Sequence, residues 1–256
     1  MKTKIYPKLT LVGAGPGDIE LITLKGIKAL NEADVVLYDA LVNPELLKFA
    51  PANAQKIYVG KRSKNHTYTQ EQINTLIVES AHTHGHVVRL KGGDSFVFGR
   101  GLEEIKYAEL FDIETTVVPG ISSSIGVPAI SGIPVTHRGA SESFWVITGT
   151  TTSGKLSKDV KVAAHTDATV VILMGVSKLA EIVEVYKNAG KDDTGIAIIQ
   201  DGTLPTEKIA IGNIDTIRDI AIRKKIESPA VIVIGEVVKL HNRFPLQLSN
   251  LKHLLN

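Results

Sequence analysis

The sequence of 256 residues has no cysteine, few aromatic residues (5%) and no apolar run long enough to cross a bilayer. The absence of cysteine excludes disulfides, thiolate zinc sites and a cysteine nucleophile, and it indicates a reducing compartment. A membrane span needs about 18 consecutive apolar residues. The opening segment has too short an apolar stretch, and no small-residue cleavage site, for a secretory signal. The few aromatic side chains leave little surface on which single-stranded nucleic acid could stack. We therefore expect a cytoplasmic protein with no membrane or nucleic-acid partner.

The composition is that of a soluble globular protein, with 43% hydrophobic and 22% charged residues. The length fits one large domain or two modest ones. The net charge of +2 is unevenly spread, because residues 56–100 contain seven basic and only three acidic residues. This basic zone indicates an anionic ligand. On charge alone, a solvated basic face is an equally good interpretation.

The first half of the chain alternates short β-branched runs with amphipathic stretches. Apolar residues recur at helical spacing from Leu21 to Ala33, and Thr69 with Gln72 has the pattern of a capping box. The predicted strands are 9–15, 33–39, 56–60, 86–94 and 113–120, and the predicted helices are 21–33, 69–82 and 101–110. This alternation predicts an N-terminal α/β domain with a mostly parallel sheet.

The irregular stretch GIPVTHRG, residues 132–139, indicates a domain boundary. We therefore predict one domain over residues 1–136 and a second over 137–256. The second contains the runs FWVITG, ATVVILMG, TGIAIIQDG, EKIAIG and PAVIVIGEVV as strands, with helices at 176–189 and 215–224. The short separation of IAIIQ from EKIAIG predicts an antiparallel pair. The expected C-terminal domain is an α/β domain with a smaller, mixed sheet.

Three glycine-containing loops follow predicted parallel strands, at residues 13–18, 92–94 and 119–124. Open α/β sheets bind ligands at this edge. The first loop departs from the dinucleotide fingerprint, because Asp18 stands at the last glycine position and Pro16 removes a backbone N–H. The G-K-[ST] of a phosphate-binding P-loop is absent. Each loop alone is typical of a tight turn, but together they favour a polar, neutral or cationic ligand.

Six segments together carry a family resemblance: GAGPGDIELITLKG, VVLYDALV, VGKR, VVRLKGGDSFVFGRG, VVPGISSS and GIPVTHRG. The chain resembles the tetrapyrrole methylases from about residue 9 to about residue 240. GxGPGD is shared across the superfamily, whereas VGKR, GGDxFVFGRG and GIPVTHR are typical of the members that methylate uroporphyrinogen III to precorrin-2. The resemblance implies a homodimer of two α/β domains with S-adenosylmethionine in the cleft between them.

The resemblance also implies which residues bind the cofactor. They are Pro16, Gly92, Gly93, Asp94, Val97, Ser122, Ser123, Met174 and Gly202. The sequence departs from the family pattern at Ser95, where proline is usual, and at Leu102, where glycine is usual.

S-adenosylmethionine carries its own electrophilic methyl group, so the chemistry requires no metal and no enzyme nucleophile. The enzyme aligns donor and acceptor, and S-adenosylhomocysteine is the second product. After a pyrrole carbon has attacked the methyl, a proton must leave. The family match implies Asp39 as proton acceptor and Lys61 as proton donor. Arg62, Lys64, Arg100 and Arg138 are candidates for pairing with the carboxylates of uroporphyrinogen III.

Several of these residues also have ordinary structural interpretations. Asp39 could cap the segment 41–50, and Lys61 and Arg62 could be surface charges. Met174 and Trp145 are residue types usual in a core. His82, His84 and His86 invite a metal interpretation, but a cationic helix end without a metal is favoured. Two other functions stay open: a sister methylase acting on a later precorrin, and a non-catalytic cofactor-binding module.

Overall fold

The structure, a computed structural model, describes residues 5–60 and 68–244. It divides into two compact units, Met1–Ser122 and Ser123–Asn256. Among the described residues, no helix is both long enough and apolar enough to cross a membrane.

The first unit is built on a five-stranded sheet in which every pairing is parallel. Its strands are β1 (Lys8–Gly13), β2 (Val35–Tyr38), β3 (Gln55–Tyr58), β4 (His86–Lys91) and β5 (Glu114–Val118), in the order β3-β2-β4-β1-β5. Its helices are α1 (Leu24–Asn31), α2 (Gln70–His84) and α3 (Gly101–Glu109), with 3-10 turns at Ile19–Leu21 and Pro44–Phe49. The parallel sheet predicted for this half is confirmed.

Local hydrogen bonds set where these helices begin. The Thr69 hydroxyl accepts a hydrogen bond from the Gln72 backbone N–H, and the Gln72 side chain accepts one from the Thr69 N–H, so the predicted capping box is confirmed. Helix α1 begins later than predicted because the Thr23 hydroxyl accepts from the Gly26 N–H and caps it. Such caps satisfy backbone donors that have no partner within the helix.

Apolar residues cover both faces of the parallel sheet. Successive side chains of a strand point to opposite faces, so Val88 and Leu90 pack with α1 on one face. On the other face Val87 packs with Ile77 of α2 and Ile105 of α3. With both faces covered, ligands can reach the sheet only at its edges and ends.

The second unit has a mixed sheet, as predicted. Its elements are α4 (Ser123–Ile130), β6 (Phe144–Thr148), α5 (Asp159–Ala163), β7 (Thr169–Leu173), α6 (Leu179–Asn188), β8 (Gly195–Gln200), β9 (Lys208–Asn213), α7 (Ile217–Arg223) and β10 (Ala230–Ile234). The strand order is β6-β7-β10-β8-β9, with only β6 and β7 parallel. The predicted antiparallel pairing of β8 with β9 is confirmed. The expectation of a smaller sheet is wrong, since both described sheets have five strands.

The second unit also begins earlier than the break predicted between residues 136 and 137. Helix α4 contacts β7 and β10, and its Val127 is buried in the same apolar cluster as Val171 and Val233. Ile133, inside the irregular stretch that suggested a boundary, is fully buried in this cluster. Packing of α4 on the second sheet therefore moves the division to Ser122 and Ser123.

Candidate active site

Three loops of the first unit meet at the carboxyl edge of the parallel sheet. The Gly15 N–H donates to the Gly93 carbonyl over 3.2 Å, and the Gly93 N–H donates to the Gly15 carbonyl over 2.7 Å. The Ala14 N–H donates to the Lys91 carbonyl over 2.7 Å. The loops after β1 and β4 are therefore joined through their backbones.

Glycine is required where the third loop arrives. A Cβ placed on Gly120 would lie 2.3 Å from the Gly93 carbonyl oxygen and 2.6 Å from the Gly13 carbonyl carbon. A Cβ placed on Gly13 would lie 2.4 Å from the Gly120 nitrogen. No side chain fits at either position, so the three backbones approach each other as only glycines allow.

The Asp94 carboxylate ties these loops together. One oxygen accepts from the Phe96 N–H over 2.8 Å, and the other accepts from the Gly120 N–H over 3.0 Å. Asp94 and Val97 are half-buried, while Phe96 is exposed. Asp94, which the sequence predicts as a cofactor ligand, thus also has a structural function within the loop cluster.

The GPGD turn after β1 is stabilised by two polar side chains. The Asp18 carboxylate accepts from the Glu20 N–H over 2.9 Å and caps the 3-10 turn that follows. The Asn43 side-chain amide donates to the Gly17 carbonyl over 2.9 Å. Pro16, directly before Gly17, is half-buried.

Asp39 lies just beyond β2, next to the loop after β4. Its Oδ1 accepts from the Leu41 N–H over 3.1 Å, and its Oδ2 lies 3.4 Å from Nη2 of Arg89. Its side chain is 24% exposed. A Cβ on Gly92 would lie 2.6 Å from the Leu41 Cβ, so the chain after Asp39 runs against this loop. Asn43, and not Asp39, caps the helical segment that follows, so the capping interpretation of Asp39 is wrong.

A cluster of buried charges lies below these loops, and sequence reasoning missed it. Nζ of Lys91 lies 2.9 Å from Oε1 of Glu104, and Nε of Arg89 lies 3.4 Å from the same oxygen. Gln70 at the start of α2 donates to that oxygen over 3.1 Å. Burial lowers the pKa of Lys91, the nearby Arg89 cation lowers it further, and Glu104 opposes both. Two cations of the basic zone are therefore buried and paired with protein groups.

The residues predicted to bind substrate have different environments. Arg100 is exposed and pairs with Glu103, its Nε and Nη2 lying 2.9 Å and 2.6 Å from the two carboxylate oxygens. Arg138 is exposed in the second unit. Lys61, Arg62 and Lys64 lie outside the described residues.

In the second unit, Met174 and Gly202 follow strand ends. Met174 lies just after β7, has a φ of 55° and is 52% exposed. The interpretation of Met174 as a core residue is therefore wrong. Gly202 lies in the turn between β8 and β9, where a Cβ would come within 2.3 Å of Val127. Ser122 ends the first unit and Ser123 begins α4, and both are half-buried.

Trp145 and the histidines near the end of α2 were also considered in the sequence analysis. Trp145 is 37% exposed on the edge strand β6, so its interpretation as a core residue is wrong. His86 donates from Nδ1 to the Glu32 carbonyl, and its Nε2 accepts from the Thr10 hydroxyl. His84 contacts Gln55. In the part of the chain that the structure describes, no group of three His, Cys, Asp or Glu side chains could hold a metal ion.

Comparison with known proteins identifies the family. The Tetrapyrrole (Corrin/Porphyrin) Methylases family matches residues 8–218. The chain is 48% identical over 235 residues to a Uroporphyrinogen-III C-methyltransferase of Methanocaldococcus jannaschii, covering 91% of this chain and 97% of that protein. It is 44% identical over 240 residues to an S-adenosyl-L-methionine-dependent uroporphyrinogen III methyltransferase of Methanosarcina barkeri, covering 93% and 94%.

A solved structure agrees with these sequence matches. The uroporphyrin-III C-methyl transferase of Thermus thermophilus, complexed with S-adenyl homocysteine, superimposes with a TM-score of 0.78 and 36% sequence identity. The match covers 91% of this chain and 99% of that one. With its parallel and mixed sheets and its fused glycine loops, this chain belongs to the tetrapyrrole methylase family.

Proposed function

We propose that this protein transfers two methyl groups from S-adenosylmethionine to uroporphyrinogen III, forming precorrin-2 and S-adenosylhomocysteine. The observation that carries the proposal is the close packing of the glycine loops after β1, β4 and β5, with Asp39 next to them. The two methyltransferases described above, which are similar over almost their whole length, support this choice of substrate.

The loop cluster fits S-adenosylmethionine better than a phosphate-bearing cofactor. Gly92, Gly93 and Gly120 are only half-buried, so part of their backbone is accessible to a ligand. The half-buried carboxylates of Asp18 and Asp94 would repel phosphate groups. A sulfonium and an ammonium group are instead attracted to carboxylates. We assign Pro16, Gly92, Gly93, Asp94, Val97 and Ser122 of the first unit, and Ser123, Met174 and Gly202 of the second, to cofactor binding. When bound, the cofactor supplies the methyl group on a sulfonium.

Asp39 is our candidate for the general base. Methyl transfer to an electron-rich pyrrole carbon leaves the macrocycle cationic until it loses a proton. The partly exposed Asp39 carboxylate can accept that proton, while the electron pair of the broken bond returns to the ring. Lys61 remains our candidate for proton donor, by family resemblance alone.

Exposed cations are our candidates for substrate recognition. Arg100 and Arg138 present guanidinium groups that can bind carboxylates in bidentate fashion. Arg100 would exchange its present partner Glu103 for a substrate carboxylate. Arg62 and Lys64 complete this set by family resemblance.

We further propose that the protein works in the cytoplasm as a homodimer. The absence of cysteine fits a reducing compartment, and the resemblance to the family supports the dimer. Analytical ultracentrifugation should give twice the chain mass of 27.6 kDa. A single species at the chain mass would exclude the dimer.

The decisive experiment is an anaerobic incubation with uroporphyrinogen III and S-adenosylmethionine, followed by mass spectrometry of the tetrapyrrole. We expect a product with two added methyl groups and two equivalents of S-adenosylhomocysteine. One methyl group, or none with uroporphyrinogen but turnover of a later precorrin, would favour a sister methylase. Cofactor binding without turnover of any tetrapyrrole would favour a binding module.

The role of Asp39 can be tested separately with Asp39→Asn. This change preserves the shape of the side chain and removes its ability to accept a proton. We expect turnover to fall by about 10²–10⁴-fold, the usual contribution of a positioned base, with S-adenosylmethionine affinity near normal. Asp112→Asn is the matched control, because Asp112 is exposed in the turn that precedes β5, at the opposite end of the strands. A near wild-type single-turnover rate in Asp39→Asn would exclude Asp39 as the base.

A further inference from the structure

We propose that Arg89, itself oriented by Glu104, is the positioning residue that fixes the Asp39 carboxylate for proton transfer. This inference rests on the proposed function, in which Asp39 is the base.

Arg89 occupies a place where a charge is costly. It lies in β4, the central strand, where it pairs in register with Leu37 of β2 and Leu11 of β1. Only 3% of the residue is exposed. Replacing a buried ion pair with apolar residues of similar volume is often neutral or stabilising. A guanidinium at this position therefore calls for an explanation other than stability.

The contacts of Arg89 hold its guanidinium in one orientation. Nη1 donates to the carbonyl oxygens of Leu90, over 2.9 Å, and Leu37, over 3.3 Å. Nε donates to Glu104, and Nη2 donates to Asp39, each over 3.4 Å. These acceptors come from β2, the segment after β2, β4 and α3. Because the guanidinium is planar, its donors have fixed relative directions, and the group cannot turn away from Asp39 without losing several contacts.

Glu104 of α3 accepts hydrogen bonds from both buried cations, Arg89 and Lys91. Its Oε1 accepts from Arg89, Lys91 and Gln70, whereas its Oε2 is buried and has no hydrogen-bond partner among the described residues. One buried carboxylate therefore faces two buried cations. The unbalanced positive charge is met by Asp39, whose carboxylate reaches Arg89 from the carboxyl edge of the sheet.

This geometry restrains both oxygens of Asp39. The Leu41 N–H holds Oδ1, and the Arg89 guanidinium holds Oδ2. Rotation of the carboxylate is restricted, because each of its oxygens accepts a hydrogen bond from a different donor. Only the exposed side of the carboxylate remains accessible to a substrate. Arg89 thus acts on the reaction through Asp39 and without touching the substrate.

The test is a double-mutant cycle measured by kcat and KM. Arg89→Lys keeps the charge but removes the planar fork, and Glu104→Gln keeps the shape but removes the charge that orients Arg89. We expect kcat to fall about 10–100-fold in each, as expected for a misplaced reacting group, while both KM values change less than about twofold. In the Asp39→Asn background, neither substitution should lower kcat further. Residues that act as a unit have non-additive effects on kcat. Lys106→Gln, which breaks an exposed ion pair on α3, is the control and should keep the wild-type kcat.

Several outcomes would overturn the inference. Unchanged kcat in a folded Arg89→Lys or Glu104→Gln protein would do so, as would losses that add to that of Asp39→Asn. If Arg89→Lys does not fold, the Glu104→Gln cycle decides. If neither variant folds, the cluster serves stability and the inference is wrong. Failure of the proposed function is distinguishable, because wild-type protein would then leave uroporphyrinogen III unmethylated or Asp39→Asn would keep full turnover.

Discussion

Replacing Asp94 with alanine tests the loop cluster most directly. The Asp94 carboxylate accepts hydrogen bonds from the Phe96 and Gly120 N–H groups, over 2.8 Å and 3.0 Å, and so joins the loops after β4 and β5. In our proposal the same carboxylate also contacts S-adenosylmethionine. Asp94→Ala should therefore weaken both the fold of the loops and the binding of the cofactor.

The contacts of Asp94 set the size of each effect. A hydrogen bond to a charged group contributes about 1.5–3 kcal/mol. Asp94 is half-buried, and water can replace part of the two lost bonds. We therefore expect the free energy of unfolding to fall by about 2 kcal/mol in total, which lowers Tm by about 4–8 °C for a chain of this size. Loss of one charge-assisted bond to the cofactor should lower its affinity about 10–100-fold.

Thermal melting and isothermal titration calorimetry measure the two effects independently. Asp167→Ala is the matched control, since Asp167 forms an exposed ion pair with Lys191 in the second unit and should affect neither quantity appreciably. Unchanged cofactor affinity in folded Asp94→Ala protein would refute the binding role. Unchanged stability would refute the structural role, because water would then satisfy both N–H groups fully.

Three further changes test other parts of the molecule. Gly120→Ala should abolish measurable cofactor binding in calorimetry and lower Tm, because its Cβ would lie 2.3 Å from the Gly93 carbonyl oxygen; normal binding would contradict the observed loop packing. Met174→Ala should weaken cofactor affinity with little change in Tm, because the side chain is 52% exposed; a large fall in Tm with unchanged affinity would instead indicate a packing role. Burial lowers the pKa of His86 below 6.5, so the unfolded chain binds this proton more readily, and stability should fall as the pH drops below 6.5. In urea unfolding the fall should be smaller for His86→Gln, and parallel profiles for the two proteins would refute the assignment.

Local sequence patterns were sufficient to predict much of the fold and part of the candidate site. The alternation of apolar runs with amphipathic stretches predicted the parallel sheet, and the spacing of Thr69 and Gln72 predicted the start of α2. The three glycine loops converge because the carboxyl ends of parallel strands meet at one edge. Asp39 and Asp94 also follow strands at that edge, but the family resemblance implied their functions, which stay predictions.

Two predictions were wrong because they depended on contacts with a neighbouring element: the capping function of Asp39 and the domain boundary at residues 132–139. Asp39 precedes a helical segment and resembles a cap, yet Asn43 provides the cap because the chain first turns at Leu41. The stretch 132–139 resembles a linker, yet it follows α4, which packs on the second sheet. The position of the cap and the position of the domain boundary were thus both determined by a neighbouring element and not by the segment that suggested them.

The succession of strands and helices, and the glycines that let three loops meet, could be predicted without the structure. They follow from side-chain periodicity and backbone conformation over a few residues. The burial of Arg89 and Lys91 beside Glu104 could not be predicted in this way. The two cations share one face of β4 by the alternation of a strand, but which helix covers that face depends on the packing of α3 on the sheet. In the sequence Arg89 and Lys91 resemble exposed charges, but α3 packs on their side of the sheet and buries them. Glu104, which α3 carries, then becomes their ion-pair partner.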